Sequence, residues 1–158
     1  MKEMSKIVRT VTNLVYGFII IFGFYIIVHG HLTPGGGFQG GAVVASAFAL
    51  LTISYGALNV KKYLKKDLLS ILESLGLAMF AILAFLGLGI TFFYNFLANS
   101  GNWFGDTTIL GINPGNMNTG GVIPLMNIAV GLEVLSALGV IVLIMAMGAE
   151  FTRKKENS

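Results

Sequence analysis

Four long stretches of the chain are almost free of ionised side chains. From Thr10 to Val28, and again from Leu32 to Val60, there is no Asp, Glu, Lys or Arg. A third stretch, from about Leu68 to Leu97, is broken only by Glu73, and a fourth, from about Gly121 to Ala149, only by Glu133. A bilayer-spanning helix needs roughly 20 mainly apolar residues. The pattern therefore predicts transmembrane helices at about 8-28, 38-60, 68-97 and 121-149. The expected fold class is all-α, an integral membrane protein with residues 1-158 as a single membrane domain. The first stretch has a basic start, as a secretory leader would. Its apolar run is long, however, and no small-residue cleavage pattern follows, so it reads as a retained helix.

Composition agrees with a lipid solvent. Hydrophobic residues make up 55% and charged residues 11%, where a soluble domain carries about a quarter charged; the mean hydropathy is +0.82. Without cysteine, disulfides, thiolate metal sites and thiol catalysis are excluded. The basic residues lie in three groups: Lys2, Lys6 and Arg9; Lys61, Lys62, Lys65 and Lys66; and Arg153, Lys154 and Lys155. Four spans put all three groups on one face, which the positive-inside rule makes cytoplasmic. Both termini are then expected in the cytoplasm, with the protein multi-pass in the cell (plasma) membrane. The positive charge is accounted for by topology, so no nucleic-acid partner is expected.

Small residues predict where backbones approach. Gly37, Gly41, Ala45 and Ala49 form a stripe on the second helix, and Ser70, Ser74, Ala78 and Ala81 a similar face on the third. Ala129, Ser136 and Ala137 lie close to Glu133 on the fourth. The 98–120 connection is neutral and rich in turn formers, with Trp103 and Phe104 suited to anchor at an interface.

Between the first two helices lies the stretch HGHLTPGGGFQGG, residues 29–41. It satisfies a G-x-G-x-x-G pattern, but a dinucleotide site needs a preceding strand and an acid about 20 residues on. Here a spanning helix precedes, and the nearest following acid is Asp67. His29 and His31 offer only two imidazoles to a metal, and Asp106 or Glu133 would have to complete the set, so no metal site is expected. The structural reading is a tight reversal at Pro34-Gly35, with glycines that let the second helix start against a neighbouring backbone. Irregular backbone lining water, together with imidazoles that exchange protons near neutral pH, would also suit an ion entrance.

The intramembrane acids are the stronger candidates. Glu133 lies some 18 Å beyond Gly121, near the midplane, at a rise of about 1.5 Å per residue. A carboxylate there needs a proton, a partner from another subunit, or water. Glu73 is close to Asp67, Lys65 and Lys66 and lies nearer the cytoplasmic interface. The candidate ion path is thus Glu133, Glu73, His29 and His31, with a packing or interfacial role as the alternative for each.

The glycine stretch also resembles a family signature. The pattern H-G-x-x-x-P-G-G-G-F-x-G-G, met by His29, Gly30, Pro34, Gly35, Gly36, Gly37, Phe38, Gly40 and Gly41, is similar to that of the B subunit of Mrp-type (Mnh-type) multisubunit sodium/proton antiporters. Chain length and the four-helix layout match as well. The resemblance implies a small integral subunit, with other membrane subunits as partners and Na+ and H+ as the ions. It implies structural importance for the motif positions and assigns no catalytic residue. The same module resembles parts of membrane-bound hydrogenases and related ferredoxin-dependent complexes. Three roles are therefore expected: ion translocation, a scaffold holding transporting subunits in register, or a subunit of a redox complex. No cofactor is expected in this chain, which has no cysteines for a cluster and is not expected to be an enzyme.

Overall fold

The computed structural model describes residues 3–98, 100–101 and 120–156. The described residues are helical, with no strand among them. The helices are α1 (Lys6–His29), α2 (Gly37–Tyr55), the single turn α3 (Ala57–Val60), α4 (Lys66–Leu86) and α5 (Ile123–Glu156). Four of these are long and apolar enough to cross a membrane. The chain is a multi-pass, all-α membrane protein.

Several helix boundaries have a local cause. Ser5 caps α1, its hydroxyl accepting from the Val8 amide at 3.5 Å. At the start of α2 the Gly36 amide donates to Gln39 Oε1 at 2.9 Å, which satisfies a donor otherwise left open at a helix N-terminus. The second span ends at Tyr55 rather than near 60, because Gly56 has a φ of +83°, a conformation that side chains resist.

The third span is shorter than the expected 68-97. It stops at Leu86 and passes through a 3-10 turn, Gly87–Gly89. Phe93 then has a φ of +62°, and its amide donates back to the Ala84 carbonyl at 3.2 Å. The reversal depends on Gly87, where a Cβ would come 2.6 Å from the Tyr94 amide nitrogen. Phe80, Phe85, Phe92 and Phe93 close over it, with ring centroids 4.5 to 5.6 Å apart. Apolar composition alone cannot distinguish this folded-back aromatic segment from more helix. Trp103, Phe104 and Asp106 lie outside the described residues.

The long helices run alternately up and down. α2 packs against α1 on one side and α5 on the other, α5 packs against α4, and α1 and α4 do not meet. The apolar windows of α2 and α5 are 44% and 39% buried, against 17% for each of α1 and α4. The outer pair thus gives most of its surface to surroundings beyond this chain. Without a hydrophobic drive between helices in lipid, close backbone packing holds them together, and glycines provide it at each seam. In the α1–α2 seam a Cβ on Gly40 would lie 2.7 Å from the Gly23 carbonyl oxygen. In the α2–α5 seam a Cβ on Gly41 would lie 2.9 Å from the Gly131 carbonyl oxygen.

The stripe expected on the second helix is present, with Gly37, Gly41 and Ala45 buried. The face expected on the third is not. Ser74 and Ala78 are exposed, and the buried positions of α4 are Leu69, Gly76 and Ala84. Ser74 satisfies its own hydroxyl by donating to the Ser70 carbonyl at 3.0 Å. The residue with no Cβ makes the contact instead.

Candidate functional site: the glycine turn and the intramembrane acids

The chain reversal after α1 is held by His29. Its carbonyl accepts from the amides of Leu32 at 2.9 Å and Thr33 at 3.2 Å, and from the Thr33 hydroxyl at 3.2 Å. Gly35 takes a φ of +117°, so the left-handed step falls where no side chain opposes it. The turn wraps around the start of α5. A Cβ on Gly30 would lie 2.7 Å from Asn127 Nδ2, and one on Gly36 would lie 2.8 Å from Asn127 Oδ1. Gly37 rests on the backbone of Asn127 and Gly131. The motif glycines thus serve different neighbours: Gly30 and Gly36 the Asn127 amide, Gly37 and Gly41 the α5 backbone, and Gly40 the α1 backbone. Pro34 and Phe38 are exposed.

The two histidines are held separately. The His29 ring stacks on Tyr25, with centroids 4.6 Å apart and planes 22° from parallel. His31 is 6% exposed and packs against Gly120, where a Cβ would come 3.2 Å from its own Cβ. Among the described residues, no three His, Asp or Glu side chains converge as a metal would require.

The acids belong to another seam. Glu133 follows ten residues after the first residue of α5, roughly 15 Å along the axis, and is half-buried. Its backbone packs on Gly76 of α4, where a Cβ would be 2.8 Å from the Glu133 amide nitrogen. Glu73, also half-buried, is one helical turn from Gly76, so the structure places both acids along the α4–α5 contact. It does not bring them to the histidines at the glycine turn. One turn beyond Glu133, Ser136 is fully buried, and its Oγ has no hydrogen-bond partner among the described residues.

Asn127 carries a polar side chain that the residue pattern did not single out, and Ser136, expected only as a small packing residue, brings a buried hydroxyl. Asn127 Nδ2 is also buried without a partner among the described residues. Buried polar atoms are nearly always satisfied, and these two are exceptions among the described residues. The available signal was an Asn inside the otherwise apolar fourth stretch, six residues before Glu133.

Residues 7–140 match a family model described as a domain related to the MnhB subunit of Na+/H+ antiporter. The chain belongs to this MnhB-related family. Among individual relatives of this MnhB-family chain, an uncharacterized protein of Methanocaldococcus jannaschii is 37% identical over 136 residues, 86% of this chain and 50% of that protein. The putative antiporter subunit mnhB2 of Staphylococcus aureus is 43% identical over 67 residues, 42% of this chain and 48% of that protein. The MnhB-family chain spans about half the length of these curated relatives. Among solved structures it resembles a chain of the membrane-bound sulfane sulfur reductase, an archaeal respiratory membrane complex. The TM-score is 0.71 at 33% identity, covering 91% of this chain and 59% of that one.

Proposed function

We propose that this MnhB-family chain is a non-enzymatic membrane subunit of a multisubunit Na+/H+ antiporter, and that the α4–α5 seam forms part of its ion path. The observation that carries the reading is the contact between Gly76 and Glu133, with Glu73 one turn away along the same seam. Carboxylates at membrane depth are costly and mark ion pathways. A carboxylate neutralised by either H+ or Na+ exchanges one cation for the other without a net change in its charge. The basic groups at the opposite end from the glycine turn put that end on the cytoplasmic side. The lightly buried α1 and α4 supply the faces on which partner subunits sit. His29 and His31, at the glycine-turn end, are candidates for the entrance. The motif residues Gly30 and Pro34 through Phe38, with Gly40 and Gly41, shape it.

The test is Na+/H+ exchange by the assembled complex in proteoliposomes. Glu133→Gln and Glu73→Gln keep side-chain shape and remove the titratable charge. The expected result is normal assembly with exchange reduced at least tenfold for Glu133→Gln. Full exchange in both variants would refute the ion path. A second reading places the chain in a respiratory complex, on the strength of its likeness to the sulfane sulfur reductase chain. It then supplies the antiporter module beside redox subunits, and co-purification with cluster-bearing proteins favours it.

A further inference from the structure

At the end away from the glycine turn, α1 and α2 border a slot of about 650 Å³, whose lining also takes in Asn59 and Val60 of the α3 turn. Its lining changes character with depth. Ile20 of α1 and Phe48 and Leu51 of α2 form the apolar floor, while Lys62 and Tyr63 stand at the rim. Midway, the Tyr55 hydroxyl donates to Asn13 Oδ1 at 2.6 Å, so these two polar groups satisfy each other. Glu3, the acid in the lining, is ion-paired with Arg9 and accepts from Asn59 Nδ2 at 3.2 Å, which cancels its charge locally. With Glu3 paired to Arg9, Lys62 is the cation that the lining presents. Lys61 and Lys65 lie on the same α2–α4 connection, which ends at Lys66, the first residue of α4.

We propose that this slot binds one anionic phospholipid, with its phosphate at Lys62 and an acyl chain against Ile20 and Phe48. The charge pattern selects this occupant. Basic pockets between transmembrane helices take anionic headgroups, and the floor offers the hydrocarbon environment that a chain requires. A partner's apolar helix would fill the floor but would leave the Lys62 ammonium facing an uncharged surface. The site is independent of the α4–α5 seam.

Lipid binding to the purified, assembled protein in detergent, read by native mass spectrometry, tests the proposal with phosphatidylglycerol and phosphatidylcholine as probes. Phosphatidylglycerol is expected to bind at least tenfold more tightly. Lys62→Gln should weaken it about fivefold, the effect of one basic residue near an anionic headgroup, and leave phosphatidylcholine unchanged. Ile20→Trp fills the floor and should abolish binding of both. Leu14→Trp, on the exposed side of α1, should change neither. If Ile20→Trp does not fold, the headgroup selectivity and the Lys62→Gln response decide alone. Equal affinity for the two lipids, or unchanged phosphatidylglycerol binding in Lys62→Gln, overturns the proposal. So does capture of a neighbouring subunit's helix by a crosslinker placed at Leu51→Cys.

Discussion

Gly76 of α4 and Glu133 of α5 touch backbone to backbone, and a single methyl group at Gly76 would enter the space of the Ala129 carbonyl oxygen and the Glu133 amide, at 2.7 and 2.8 Å. Neither atom can swing aside as a side-chain tip would. Gly76→Ala should therefore force α4 and α5 apart, at about 1–3 kcal/mol, the usual cost of overpacking. Because Glu73 shares the seam, exchange should fall along with stability. Ser74→Ala, on the exposed side of the same helix, should change neither thermal stability in detergent nor exchange. Equal behaviour of the two variants would show that the seam tolerates expansion.

The α1–α2 seam offers a sharper control within one helix pair. A Cβ on Gly40 would meet the Gly23 carbonyl oxygen at 2.7 Å and the Ile27 amide at 2.8 Å, whereas Gly17 of α1 has nothing within 4 Å. Gly40→Ala should lower the melting temperature. Gly17→Ala should be neutral or raise it, since alanine favours a helix interior over glycine by up to ~1 kcal/mol. The opposite ordering of the two midpoints would refute the packing account.

How much of this was legible in the residues differs from place to place. Lipid solvent makes charge-free length nearly synonymous with a span, so four helices could be read directly. Gly56 and Gly87 end helices by conformation and by close approach, and neither property is visible in hydropathy. For that reason hydropathy alone carries the second and third spans past their ends at Tyr55 and Leu86. The Gly37–Gly41 stripe was legible because four-residue spacing of small residues is a packing code. On α4, Ser70, Ser74, Ala78 and Ala81 imitate that code without being the buried positions, while the lone Gly76, which is buried, gives no period at all. Depth identified Glu133 and Glu73, but their shared seam required knowing that α4 packs on α5. The antiparallel pairing of α4 with α5, across an intervening connection, is a tertiary fact.

Asn127 tests what the glycine turn needs. Its Nδ2 is buried without a partner among the described residues, and a buried donor left unpaired costs roughly 1–3 kcal/mol, which an apolar group of similar shape does not incur. Asn127→Leu should therefore keep or raise the melting temperature. Gly30→Ala should lower it, because a Cβ there would come 2.5 Å from the Gly36 Cα. A large loss of stability in Asn127→Leu would mean that the amide is bound in the native state by something polar that the turn depends on.

Near the basic end, the buried hydroxyls of Thr12 and Ser54 are 2.5 Å apart and join α1 to α2 well away from the Gly23–Gly40 contact. Thr12 is 2% exposed and Ser54 is fully buried, so removing one hydroxyl strands the other in an apolar setting. Thr12→Val and Ser54→Ala should each destabilise, by roughly 1 kcal/mol. The double variant should cost less than the two singles together, because it leaves no orphan. Interhelical hydrogen bonds in membrane proteins average a coupling of about 0.6 kcal/mol and reach about 1.7. The short separation and complete burial here argue for the upper part of that range. A double-mutant cycle from reversible unfolding in detergent micelles or bicelles measures the coupling, and a value of zero would mean that the two hydroxyls are neighbours without being bonded.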